Sequence, residues 1–351
     1  MSFAYVGCRT TRERNARGKG ISVYKIDDVT GDWALVQLEA TDPNPSFLTL
    51  HPRLDILYAV HGDLDLVTSY AIDPENGYIS LLNRQTTQGR NPVHLALDPS
   101  QRWLIIPNYR TDSIVSLPVS QSGDLGSVAH LLELTGTLGP HRNEQNYGRP
   151  HHVPFSPSGK WIVVPAKGFD QIICLALDRE TGELTEVSRV GCRETSGPRH
   201  IGFAPRQPLA YVLNELDSTI TTYRLDDETG SLEPVDIVSS LPRGFTGNSR
   251  ASEITVSADG GSVYASNRGH DTIAVLKVAA DGRLEGQSWT STQGSTPRFF
   301  ALNPREDFLY VANEDSDTIV EFERRLSGEL FPTNRTVATG SPTSIVFNTP
   351  R

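Results

Sequence analysis

Short runs in which apolar and polar residues alternate, or β-branched and aromatic residues crowd together, recur from end to end of the chain. Each run is bounded by Gly, Pro, Asp or Asn. The stretch from Gly197 to Leu232, GPRHIGFAPRQPLAYVLNELDSTITTYRLDDETGSL, shows the unit most cleanly. It contains RHIGFA, LAYVLN, STITTYRL and the segment after the turn DDETGS, the pattern of a four-stranded antiparallel meander.

The unit repeats. A turn before the fourth strand recurs as Thr30-Gly31, Asn76-Gly77, Ser122-Gly123, Thr181-Gly182, Thr229-Gly230, Asp281-Gly282 and Ser327-Gly328. The first-strand element keeps step as NPSFLTLHP, NPVHLALDP, RPHHVPFSP, GPRHIGFAP, RASEITVSA, TPRFFALNP and SPTSIVFNT. Two independent markers with one count predict seven repeats. The chain begins on a second-strand element, Ala4 to Arg9, and ends on an orphan first strand, Ser341 to Asn348. Pairing those ends closes the ring and hides the edge strands. The expected fold is therefore all-β: a seven-bladed β-propeller of four-stranded antiparallel blades, one domain over residues 1–351. A uniform period argues against two stacked β-sandwiches.

Composition narrows the setting. No apolar run approaches the ~18 residues of a membrane span, and no basic-then-apolar leader opens the chain. Cys8, Cys174 and Cys192 are scattered, without metal spacing, which suits a reducing compartment. A net charge of -10 speaks against a nucleic-acid surface. A cytoplasmic protein, monomer or homodimer, is expected, with no nucleic-acid or membrane partner.

In an antiparallel pair the start of the first strand and the end of the second meet at one rim. Across the repeats, the residues after the first-strand proline position are Ser46, Val93, His151, Arg199, Ser252, Arg298 and Thr343. The next are Phe47, His94, His152, His200, Glu253, Phe299 and Ser344. The second strands end on Arg9, Gly62, Tyr109, Lys167, Glu215, Arg268 and Glu314, preceded by Cys8, His61, Asn108, Ala166, Asn214, Asn267 and Asn313. The asparagines repeat, as turn scaffold should. The rim columns diverge into Arg, His, Glu, Lys and Tyr, as expected where symmetry is broken for a site. Two irregular loops, around GTLGPHRNEQNYGR and RGFTGNSR, are expected to open at the same face.

Arginines suit a carboxylate or phosphate, and His151 and Glu215 are the acid/base candidates. No nucleophile elbow, HExxH or Walker A loop is present. A metal at His151-His152 is disfavoured because adjacent strand residues point to opposite faces. No metal and no cofactor are expected. His151, Arg199, Glu215 and Arg268 are the expected catalytic set. Arg9, His61, Asn108, Tyr109, Lys167, His200, Glu253 and Arg298 are the expected substrate-binding set.

These motifs resemble the lactonase family of seven-bladed propellers, which includes bacterial 6-phosphogluconolactonases and fungal carboxy-cis,cis-muconate cyclases. The resemblance spans essentially the whole chain and is carried by PHHVPFSPSG, NELDSTITTYRLD, GFTGNSRASEITVSADG, SNRGHDTIAV and VANEDSDTI, among others. It implies an enzyme acting on a small anionic lactone or carboxylate, with its site on the His of PH, the Arg of GPRH, the Glu of NELD and the Arg of SNRG. Here these are His151, Arg199, Glu215 and Arg268. The usual YAVNE reads YAVHG, VPDLG reads VPAKG and YVGTYT reads YVGCRT. A phosphosugar lactone and a related lactone with another carboxylate or hydroxyl pattern both remain open. So do hydrolysis and its alternative, a lactone-forming cyclase reaction; a non-enzymatic interaction platform is the third reading.

Overall fold

The computed structural model describes residues 2–348. Its strands form seven sheets around a central channel, the expected seven-bladed β-propeller. Counting from the first complete repeat, blade 1 comprises Pro45–Leu50, Ile56–His61, Leu66–Ile72 and Ile79–Thr86. Blade 4 comprises Pro198–Phe203, Leu209–Asn214, Thr219–Leu225 and Leu232–Ser239. Blade 7 is composite: Pro342–Asn348 pairs antiparallel with Ser2–Cys8, which continues to Ile21–Ile26 and Trp33–Glu39. The register runs from Phe3 opposite Asn348 to Val6 opposite Ile345, so the ring closes as the chain ends suggested.

Blade 3 departs from the pattern. Its sheet has three strands, and the inner segment touches it only at the Pro150–Ala166 and Phe155–Ile162 bridges. Blade 2 keeps an inner strand of two residues, Ala96–Leu97. Only these two blades carry a proline near the end of the second strand, Pro107 and Pro165, among the seven second strands. The carbonyls of both accept bonds from the inner segment, Val93 N–H at 3.4 Å and His151 N–H at 3.1 Å. The missing proline N–H would point the same way, so the inner ladder loses a donor there.

The hydrophobic core lies between blades. Tyr264, Ile273 and Val275 of blade 5 pack on Phe300, Val311 and Phe322 of blade 6, for example. Polar latches sit within these interfaces. Buried Tyr5, Tyr58, Tyr211 and Tyr264 donate at 2.8–3.0 Å to the carbonyls of Gly77, Gly123, Gly282 and Gly328 in the next blade. Those glycines have φ between +76° and +89°, which explains why the turn preceding the fourth strand keeps Gly.

A β-bulge recurs at the start of the inner strand in blades 1, 4, 6 and 7. Pro198 faces Asn214 while His200 faces Leu213, leaving Arg199 as the extra residue. The same shift isolates Ser46 in blade 1, Arg298 in blade 6 and Thr343 in blade 7. A bulge re-aims the side chain it carries. Two successive residues can therefore both face the channel, which strict strand alternation forbids.

Candidate active site at the mouth of the channel

The bulged column and the second-strand ends meet in a cavity of about 430 Å³. It brings together His151, Arg199, Glu215 and Arg268 with Arg9, Tyr109, Lys167 and Arg298. Glu215 is the hub. Its Oε1 lies 2.9 Å from Lys167 Nζ and 3.1 Å from an Arg268 nitrogen, and its Oε2 is 3.3 Å from Arg199 Nε. All four side chains are largely or wholly buried, and Lys167 is 1% exposed. Burial alone would raise the Glu215 carboxyl; Lys167, Arg268 and Arg199 together hold it well below the usual range.

The insertion around GTLGPHRNEQNYGR does reach this face, whereas RGFTGNSR reaches it only through its last residue, Arg250, and both contribute residues that the rim columns did not reveal. Glu144 and Arg149 come from the insertion before blade 3, and Arg250 opens the inner strand of blade 5, opposite Arg268. Glu144 accepts Lys167 at 2.9 Å, Arg250 at 2.8 Å and Arg149 at 3.2 Å. Arg14 also borders the cavity and pairs with Asp63, Nε to Oδ2 at 2.7 Å. Arg149 and Arg250 open the first-strand elements RPHHVPFSP and RASEITVSA, two positions before the rim columns begin, and Glu144 lies on an insertion that has no column to vary in. The signal available was the length of the loops.

The lining is strongly cationic. Arg9, Arg14, Arg110, Arg149, Lys167, Arg199, Arg250, Arg268 and Arg298 make nine cations against two carboxylates, Glu144 and Glu215. Counting also Asp63, which pairs with Arg14, and Glu314, 3.6 Å from Arg298, nine against four still leaves five positive charges. Burial and Arg268 pull the Arg199 guanidinium down to about 9, against the opposing field of Glu215. It remains a cation at neutral pH.

Below the mouth the channel narrows to a constriction lined by Phe47, His151, His200, Glu253 and Phe299, among others. His200 and Glu253 thus sit beneath the main cavity rather than in it. His151 Nδ1 lies 3.1 Å from His200 Nε2, and His200 Nδ1 lies 3.0 Å from Glu253 Oε1. His152 stacks on His200 with ring centroids 4.3 Å apart and planes at 8°, and its Nδ1 accepts the Ile201 N–H at 3.1 Å. His151 and His152 therefore both meet His200, contrary to the opposite-faces expectation, because the inner segment of blade 3 is irregular. Burial, reinforced by neighbouring arginine or imidazole groups, pushes His94, His151, His152 and His200 well below 6.5. Glu253 is pushed up to about 8, chiefly by burial.

Two expected binding residues stay away from the cavity. His61 is fully buried, with Nδ1 near the Asp42 and Pro43 carbonyls (3.0 and 3.1 Å) and Nε2 on Thr68 at 2.9 Å. Asn108 is fully buried and donates to the Thr87 carbonyl at 3.0 Å. Asn267 and Asn313 do the same to Ser240 and Thr292. Both His61 and Asn108 occupy the scaffold column, and a scaffold position already spends its polar atoms on the turn.

Among the described residues no helix is long and apolar enough to cross a membrane. The model of a lactonase family with a seven-bladed β-propeller matches residues 3–347. A 6-phosphogluconolactonase of Bacillus subtilis is 31% identical over 98% of both chains. One of Formosa agariphila is 29% identical over 88% of this chain and 89% of its own. The solved structure of a periplasmic gluconolactonase from Pseudomonas aeruginosa superposes with a TM-score of 0.92 at 28% identity, covering 100% of both chains. The cytoplasmic location expected from the cysteines gains nothing from a relative named periplasmic. Over essentially its whole length, then, the chain belongs to the lactonase family of seven-bladed β-propellers, and it is an enzyme of lactonase type rather than an interaction platform.

Proposed function

We propose that the protein hydrolyses a small anionic sugar-acid or phosphosugar lactone in the mouth of the channel. The observation that carries this reading is the surplus of five positive charges around one cavity that also holds an uncharged imidazole. Such a surface attracts and orients an anion, and it favours the charge that develops when an ester carbonyl is attacked.

His151 is a better base than Glu215. Three cations hold the Glu215 carboxylate, and each would be weakened by protonating it. The His151 ring has one engaged nitrogen, Nδ1, while Nε2 makes no hydrogen bond to a described residue. One proton arrangement of these contacts suits that role: Glu253 Oε1, which also accepts the Ile254 N–H at 3.0 Å, accepts from His200 Nδ1, His200 Nε2 accepts the His151 Nδ1–H, and His151 Nε2 keeps its lone pair. Water would give a proton to Nε2 while its oxygen bonds to the lactone carbonyl carbon. The oxyanion would sit against Arg199 and Arg268. Collapse breaks the bond to the ring oxygen, which takes the proton back from His151 and leaves as the hydroxyl of the open acid. Glu215 acts by holding Lys167, Arg199 and Arg268 in place.

A pH-indicator assay over uncharged, phosphorylated and carboxylated sugar lactones tests the substrate class. Arg199→Ala or Arg268→Ala should reduce turnover by roughly 10²–10³, with thermal unfolding recorded to verify the fold. Wild-type turnover in both variants, or loss of a conjugated diene's ultraviolet absorbance without net hydrolysis, would overturn the assignment.

A further inference from the structure

Arg9 is the one rim cation whose situation the hydrolytic reading leaves unexplained. It follows directly on the second strand of blade 7 and is 3% exposed. Its side chain has no hydrogen bond and no ion pair among the described residues, and Nη1 is enclosed without a partner. Burial, with Arg298 and Arg14 nearby, draws the guanidinium down to about 9. The nearest carboxylates are committed elsewhere, Asp63 to Arg14 and Glu314 to Arg298. A buried, unpaired charge next to a like charge is strongly unfavourable unless something pairs with it.

The repeat shows where the partner is missing. In blades 4 and 6 the second strand ends in a glutamate that faces the bulged arginine of the same blade, Glu215 with Arg199 and Glu314 with Arg298. At the same position blade 1 has Gly62, and its bulged residue is Ser46. Arg9 lies over that gap: a Cβ at Gly62 would come within 2.2 Å of Arg9 Nη1 and 2.9 Å of Ser46 Oγ. Gly62 makes room for the guanidinium and withholds the carboxylate that would neutralise it. Arg9 and Arg298 both border the main cavity and the constriction.

We propose that Arg9 and Arg298 form a second anion subsite in the mouth, which takes a phosphate or carboxylate arm of the lactone in addition to the ester being opened. This rests on the lactonase reading and names the class of its substrate. The arm supplies the counter-charge that the fold omits, while Arg199 and Arg268, already held by Glu215, serve the reacting carbonyl.

Calorimetric titration with inorganic phosphate, paired with thermal unfolding, tests the subsite without turnover. Arg9→Gln should weaken phosphate binding roughly 10- to 100-fold, raise the unfolding temperature in phosphate-free buffer, and abolish the rise that phosphate gives the wild type. Gly62→Glu, which supplies the absent carboxylate, should likewise suppress phosphate binding. In turnover, Arg9→Gln should lower the ratio of kcat/KM for 6-phosphogluconolactone to that for uncharged gluconolactone by the same factor. A fall confined to a dicarboxylate lactone instead would assign the subsite to carboxylate. Undiminished phosphate affinity in both variants, or equal losses on charged and uncharged lactones, would overturn the subsite. Should the wild type open no lactone, the hydrolytic reading fails and the phosphate titration still decides this one.

Discussion

The mouth of the channel and the constriction beneath it are built from adjacent columns of the same repeat, yet they are opposite in character. The bulged residues Arg199 and Arg298, with His151 from the irregular inner segment of blade 3, look into a wide cationic cavity. The next residues along the inner segments, Phe47, His94, His152, His200 and Phe299, form a layer of stacked, tilted and edge-on rings, with centroids 4.1–6.4 Å apart. Arg9, Arg199 and Arg298 border both levels, while the lower one adds the rings and the Glu253 carboxyl. Arginine stays ionised even when drawn down to about 9, whereas the imidazoles lose their protons to burial. In the bulged blades one extra residue therefore separates the polar column from the ring column, and His151 lines both spaces. A base in that position borrows orientation from the dry layer and substrate from the wet one.

Removing the residue that joins the layers should have the largest effect. His151→Ala is expected to lower kcat by about 10²–10⁴, the usual range for a positioned acid or base. Its pH profile sharpens the point. A folded-state value well below 6.5 means His151 is already a free base at pH 6.5, so kcat/KM should show no acid limb at 6.5 and fall only in more acid solution. An acid limb centred at 6.5 would show an exposed, ordinary histidine and break the comparison. Stability follows the same sign. The four buried imidazoles have depressed values, so the unfolded chain binds more protons below pH 6.5. Their contribution is complete above 6.5 and is lost as pH falls, which acid titration of the unfolding temperature will measure.

A smaller effect is expected one step down. His200→Phe keeps a ring in the stack but removes the acceptor for His151 Nδ1–H, the worth of one hydrogen bond, so kcat should fall roughly tenfold with KM little changed. His200→Gln, whose amide can accept in the same region, should recover part of the loss. A purely structural His200 would show equal defects in both variants, tracking their unfolding temperatures.

The repeat made the fold legible. Turn glycines with positive φ and first-strand prolines recur because each blade must solve the same two local problems, and composite closure follows from which strand begins the chain. The rim residues His151, Arg199, Glu215 and Arg268 were legible for the converse reason, since they depart from a shared column. Three things were not. Glu144 lies on an insertion that has no sibling for comparison, and its partner Arg250 opens a first strand two positions before the columns compared. The two-layer division depends on a bulge, and register shifts leave no mark in a pattern that only counts alternation. His61 looked like a functional departure, yet a fully buried imidazole bonded at both nitrogens can replace the scaffold asparagine.

The smallest effect is expected from the apolar part of the constriction, and it tests whether that layer is more than support. Phe47 lies edge-on to Phe299 with centroids 5.7 Å apart and against His94 at 4.5 Å. Phe47→Leu should cost about 1–2 kcal/mol of stability from lost ring contacts and imperfect filling, visible as a drop of a few degrees in the unfolding temperature. Turnover should change by less than the His200→Phe variant does, since no hydrogen bond to His151 is touched. If Phe47→Leu instead lowers kcat as far as His200→Phe, water admitted from below must be reaching the His151–His200–Glu253 chain. The constriction would then work as a seal for the base, and the boundary between chemistry above and packing below would have to be drawn one layer deeper.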